Sequence, residues 1–143
     1  MNNRVFIDSD IILDLLTKRE FFYDNAAKLF TLAYEKKIKL HTTAVVLANV
    51  FYILRKIRGN EESKRQLRNL RLLVQILPIH EKTVDLALNS KFIDFEDGLQ
   101  YFAVKENDIL TIITRNTKDY KVKDLVIQTS EEYINMYYPT SSA

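Results

Sequence analysis

The chain has 143 residues, 47% hydrophobic and 28% charged, the composition of one globular domain able to bury a full core and not of a disordered segment. Two glycines and two prolines leave no phosphate-cradling loop of the G-x-x-x-x-G-K-S/T type, and the absence of cysteine excludes disulfides, thiolate zinc sites and cysteine nucleophiles. With only His41 and His80, a three-histidine metal site is excluded within one chain, and a formal net charge of +2 is too small to imply nucleic acid by itself.

Residues 4–8 read as a first buried strand, in which the apolar run Val5-Phe6-Ile7 is closed by Asp8. Met1-Asn2-Asn3-Arg4 leads straight into it and no stretch is apolar enough to span a bilayer, so the expectation is a soluble, cytoplasmic protein without a signal peptide. Helical spacing follows over 10–16 and again over 24–36, where Ala26, Leu29, Phe30 and Ala33 share a face. A second strand is expected over 38–42, then a strong helix over 44–58 stopped by Gly59, and a further helix over 61–73. The apolar segment 74–79 is interrupted by Pro78 and reads as a short edge strand, followed by a helix over 83–89. Beyond these, helix 95–106, strand 109–114, a polar turn, strand 122–128 and a helix to Tyr138 complete one domain over 1–138, with a frayed tail over 139–143. Thr129 and Glu132 have capping-box spacing at the start of that last helix.

Strands that alternate with helices and carry no wet face imply a parallel sheet covered on both sides. In such α/β folds ligands bind beyond the carboxyl ends of the strands. Acids stand there: Asp8 after the first strand, Asp119 in the turn after strand 109–114, and Asp94, Glu96 and Asp97 at the start of helix 95–106, which can bring Asp97 alongside. Carboxylates meeting in one cleft repel one another unless a divalent cation neutralises them.

The segments Val5-Phe6-Ile7-Asp8-Ser9-Asp10, Asp94-Phe95-Glu96-Asp97-Gly98-Leu99-Gln100 and Ile113-Thr114-Arg115-Asn116-Thr117-Lys118-Asp119-Tyr120 resemble, in order and spacing over essentially the whole chain, the three best-marked motifs of the PIN domain family. The likeness is to its small bacterial single-domain members of the VapC toxin type. That resemblance implies a three-layer α/β/α fold with a parallel five-stranded sheet of order 3-2-1-4-5. It also implies a magnesium- or manganese-dependent ribonuclease, frequent homodimers and a neutralising antitoxin. Asp8 then corresponds to the family's first acid and central metal ligand, Asp97 to the acid on the helix before the fourth strand, and Asn116 and Asp119 to the polar turn after it. The resemblance further implies that Asp97 and Asp119 ligate the metal directly or through water and that Asn116 orients a water or a phosphate. The pattern departs at Leu47-Ala48-Asn49-Val50, where Asn49 stands in place of the family's usual glutamate. An amide oxygen can ligate a hard cation but adds no charge, a loss that Glu96 can offset.

Other readings weigh each residue against plainer roles. Asp8 can cap helix 10–16, Asp119 can cap a short turn, Asp94 and Glu96 suit a helix first turn, Asp10 either lines the cleft rim or caps its helix, and Asp14 is expected to be solvated. Lys64, Arg68 and Arg71 lie at i, i+4, i+7 spacing as a basic stripe suited to RNA, or as an ordinary solvated face, and Arg115 is the expected phosphate contact. The aromatics of Phe21-Phe22-Tyr23, Phe51-Tyr52 and Tyr101-Phe102 are expected to be mostly core, with some surfacing as an interface. Two rival functions remain. One is a PIN-fold nucleic-acid-binding or interaction module whose activity has decayed at Asn49. The other is a phosphatase of the haloacid-dehalogenase type, since Ile7-Asp8-Ser9-Asp10 also resembles its Asp-x-Asp motif.

Overall fold

The computed structural model describes residues 3–139. The expected tail therefore falls, beyond Pro139, outside the described residues. Five strands, β1 (Arg4–Ile7), β2 (Lys39–Thr43), β3 (Val74–Leu77), β4 (Thr111–Ile113) and β5 (Val126–Gln128), form one sheet of order β3-β2-β1-β4-β5 in which every pair is parallel. The expected order and architecture are those observed. Seven helices connect and flank the strands: α1 (Ser9–Leu16), α2 (Tyr23–Tyr34), α3 (Ala44–Arg58), α4 (Asn60–Leu70), α5 (Glu81–Leu88), α6 (Phe95–Glu106) and α7 (Ser130–Tyr137).

The central strand explains the register. Val5, Phe6 and Ile7 are all at most 2% exposed, so β1 has no wet face and shows none of the alternation of a half-buried strand. Phe6 pairs with His41 on one side and Ile112 on the other. The ladder runs on past the strand, since the Asp8 amide donates to Ile113 O at 3.1 Å and the Thr42 hydroxyl donates to Ile7 O at 2.9 Å. Around this strand Ile11, Ile12, Leu29, Val50, Leu54, Ile112 and Ile113 are fully buried, each contributing roughly 1.5–3 kcal/mol over leaving it in water.

Local chemistry sets the element ends. Gly59, with φ +80, closes α3 and opens α4 in a conformation side chains rarely adopt. Thr129 accepts from the Glu132 amide while Glu132 accepts from the Thr129 amide, the capping box read from the sequence. α4 ends at Leu70 and not at 73, because the Leu72 and Leu73 amides turn back to Asn69 and Leu70 carbonyls. β3 is the edge strand expected and stops before Pro78. β5 begins only at Val126, the first residue in register with β4. At Gly98, α6 lies close against α5 and the segment after it: a Cβ there would meet Ala87 Cβ at 3.3 Å and Phe92 Cβ at 3.4 Å.

The aromatics depart from expectation. None of Phe21, Phe22, Tyr23, Phe51, Tyr52, Tyr101 or Phe102 is buried, and Phe21 is 87% exposed. The strands and aliphatic helix faces already fill the core. No helix among the described residues is long and apolar enough to cross a membrane.

Candidate functional site

At the carboxyl end of β1 lies a polar hollow of about 130 Å³, lined by the carboxylates of Asp8, Asp10, Asp94, Glu96, Asp97 and Asp119 together with Ser9, Val46, Asn49, Gln100 and Asn116. The three residues singled out as metal ligands, and both Asn49 and Asn116, are thus brought together from β1, α3, α6 and the turn after β4. Asp8 serves two ends. It precedes α1 and its Oδ1 accepts from the Ser9 amide at 2.9 Å, while Oδ2 accepts from the Tyr120 hydroxyl at 3.0 Å. Asp97 stands in the first turn of α6, whose cap Asp94 accepts from the Asp97 amide at 3.1 Å. Asp119 ends the short 3-10 turn Thr117–Asp119 that Asn116 opens.

The hollow is electrostatically strained. Burial, and then the neighbouring charges of Asp94, Asp8, Asp119 and Glu96, push the Asp97 carboxyl up to about 7. Burial, with Asp10 beside it, raises Asp8 to about 6 even though the Ser9 amide and the Tyr120 hydroxyl favour its ionised form. Burial also raises Asp10, whose Oδ2 accepts from the Arg115 amide at 2.9 Å and the Thr114 hydroxyl at 3.2 Å. Asp10 therefore lines the rim and ties α1 to the turn after β4. It does not cap its helix. Its Oδ1 is buried with no hydrogen-bond partner.

The donors are all oxygens, the set that suits a hard divalent cation. Among the described residues no group of three or more His, Asp or Glu side chains is drawn together into a ready cage. A magnesium-like ion is commonly held by one or two carboxylates and otherwise keeps its waters.

Asn49 does not leave its corner uncharged. Its Nδ2 donates to Glu96 Oε2 at 2.7 Å, so a carboxylate reaches that wall of the hollow from α6. Three participants escaped the sequence reading. Tyr120 holds Asp8 from 112 residues away, and Gln100, only 2% exposed, accepts from the Thr43 hydroxyl at 2.7 Å while Thr43 caps α3. Gln100 follows Asp97 by one helical turn, a spacing that could have marked it.

Other expectations are corrected. Asp14 is not solvated: it is 1% exposed, and Arg115 Nε donates to its Oδ2 at 2.9 Å. Arg115, expected to meet phosphate, is absent from the lining of the hollow, because its guanidinium is held by Asp14 and lies 4.4 Å over the Phe22 ring. Lys64, Arg68 and Arg71 are exposed, but none lines the hollow, and Arg71 Nη1 donates to the Val74 carbonyl at 2.9 Å.

Residues 4–118 match the family model of the PIN domain. The chain is 28% identical over 140 residues to Ribonuclease VapC1 of Aquifex aeolicus (strain VF5), an alignment covering 92% of this chain and 94% of the relative. Its fold is similar to that in the crystal structure of VapBC2 from Rickettsia felis bound to a DNA fragment from their promoter (TM-score 0.68, 19% identity, 88% of this chain and 98% of that one). It is similar also to a chain in a toxin-antitoxin complex from Klebsiella pneumoniae (TM-score 0.62, 18% identity, 86% and 99%). Since the match takes in the central strand, the acid of α6 and β4 up to the start of the turn after it, this chain belongs to the PIN domain family.

Proposed function

We propose that the protein is a metal-dependent endoribonuclease that hydrolyses RNA phosphodiester bonds, and that it is the toxin of a toxin–antitoxin pair. The observation that carries this reading is the six-carboxylate hollow at the carboxyl end of the central strand. Charge of that density, with one acid pushed to about 7 by burial and then by its neighbours, calls for a cation. In this proposal Asp8 is the central ligand of magnesium or manganese, and Asp97 and Asp119 hold the ion directly or through its water shell, with Glu96 beside them. When bound, such an ion makes a water more acidic and takes up charge on phosphoryl oxygens. Tyr120 fixes the Asp8 carboxylate through Oδ2, and Asn49 fixes Glu96. Asn116, exposed at the rim, orients a water or a phosphate oxygen.

The kinship with Ribonuclease VapC1 supports the reaction class, and the toxin-antitoxin complex of similar fold supports an antitoxin partner. Tyr52, Ile53 and Ile57, exposed on α3, offer an apolar surface for that partner or for a second copy in a homodimer. A cytoplasmic location accords with an RNA substrate. The phosphatase alternative finds no support in the family match, which is to the PIN domain.

The test is incubation of the purified protein with a broad panel of RNAs in manganese. Cleavage that stops with chelator and falls at least a hundredfold in Asp8→Asn and Asp97→Asn is the expected result. Intact RNA throughout, or cleavage indifferent to both substitutions, would overturn it.

A further inference from the structure

Beside the acidic hollow lies a larger cleft of about 650 Å³, within the range of roughly 300–1,000 Å³ typical of ligand clefts, and Asp94, Asp97 and Asp119 line both spaces. Its wall is aromatic. Phe92 and Tyr101 pack with ring centroids 5.2 Å apart, and Tyr101 and Phe102 meet edge to face at 4.9 Å. The cluster is braced from outside, since the Tyr101 hydroxyl donates to Asp124 Oδ2 at 2.6 Å and Asp124 pairs with Lys105 at 2.8 Å. From inside, Phe92 packs at 6.3 Å against Tyr120, whose hydroxyl holds Asp8. Lys91, Lys118 and Lys121 also line this cleft and are exposed, and no ion pair engages them among the described residues.

Phe92 and Tyr101 pack one side against the core, yet these rings and Phe102 stay partly open to solvent, the lysines stand outside any ion pair among the described residues, and the cleft is continuous with the acidic hollow. We propose that this cleft is a base-stacking subsite, which takes unpaired nucleotides of the RNA on Phe92, Tyr101 and Phe102, binds their phosphates with Lys118 and Lys121, and leads the strand to the hollow. The inference rests on the ribonuclease reading above. Stacking needs bases whose faces are free, so a duplex, whose bases are stacked on one another, cannot use the subsite. An apolar tail of a protein partner is the competing occupant. The lysine rim and the shared acidic wall favour the polyanion whose phosphates the hollow handles.

The subsite is tested by fluorescence anisotropy with a labelled single-stranded oligoribonucleotide and a blunt duplex of the same sequence. Calcium is present to neutralise the carboxylates, and RNA integrity is checked on gels. Single strands should bind at least tenfold more tightly than duplex. Phe102→Leu, apolar but without a π face, should weaken single-strand binding at least fivefold, whereas Phe102→Tyr should retain it. The double variant Lys118→Ala, Lys121→Ala should lower the slope of log affinity against log salt by roughly 0.7 per lysine. Absence of RNA binding, equal binding of duplex and single strand, or a Phe102→Leu variant that binds as the wild type does would overturn the proposal and leave the cleft to a protein segment. The two readings fail separately. RNA that stacks here but is never cut in manganese would sink the ribonuclease, while cutting unchanged by Phe102→Leu and the lysine pair would sink the subsite alone.

Discussion

Asn49 shows how one residue's role depends on a partner elsewhere in the chain. Its amide donates to Glu96, 47 positions away, and so converts a lost carboxylate on α3 into a positioned one from α6. Groups that orient a ligating carboxylate typically change metal affinity 10–100-fold when removed. Asn49→Ala should therefore weaken manganese binding, measured by titration calorimetry, by about tenfold, and Glu96→Gln by a similar factor. The double variant should be little worse than either, because both break one unit. Additive losses would show that the two side chains act independently. Nothing in the local sequence around Leu47-Ala48-Asn49-Val50 announces this pairing, because only the fold brings Glu96 of α6 within hydrogen-bonding reach of α3.

At the scale of elements, the link between α1 and the turn after β4 is polar and buried. Asp10 accepts from the Arg115 amide, and Asp14, one helical turn later, takes the Arg115 side chain. Burial raises the Asp14 carboxyl while Arg115 draws it back down. Arg115→Ala leaves that carboxylate unpaired, and breaking such a pair costs about 3 kcal/mol. In urea unfolding the loss should be largest near pH 8 and should shrink toward pH 4, where the folded carboxyl can keep its proton. A loss equal at both pH values would place the cost in packing against Phe22 instead. This link also marks what the sequence made legible. Apolar runs closed by acids gave β1, β4 and the location of the hollow, and Gly59 and the Thr129–Glu132 box gave helix ends, because each rests on neighbours in the chain. Asp14, Tyr120 and Gln100 were misjudged or missed because their partners lie 57 to 112 positions away and no periodicity encodes them.

The whole molecule answers to pH in two opposed ways. His41 is 3% exposed beside Arg4 and Lys39, and burial followed by those charges lowers it to about 4. Below its ordinary 6.5 the unfolded chain binds a proton that folded His41 refuses until about pH 4, so stability falls as pH drops through that window. The loss should be on the order of 2–3 kcal/mol and should vanish in His41→Gln. Asp97 works the other way. Folded, it keeps its proton to about pH 7 against an ordinary 3.8, so without a cation stability declines as pH rises between those values. Manganese should offset that decline: urea unfolding curves with manganese and with chelator should coincide near pH 4 and separate as pH rises through 7. A constant gap from pH 4 to 8 would mean that the ion binds somewhere other than these carboxylates.

Gly98 gives the hollow an abutment outside itself. α5 lends it no side chain, yet the turn carrying Asp94, Glu96 and Asp97 rests close against Ala87 of α5, with no room for a side chain at position 98 unless a neighbour gives way. Even a methyl group at position 98 would wedge the pair apart by a few tenths of an ångström, and the acids would travel with the wedge. The tolerance of the hollow is thus set by a residue without a side chain, one position beyond its most strained acid.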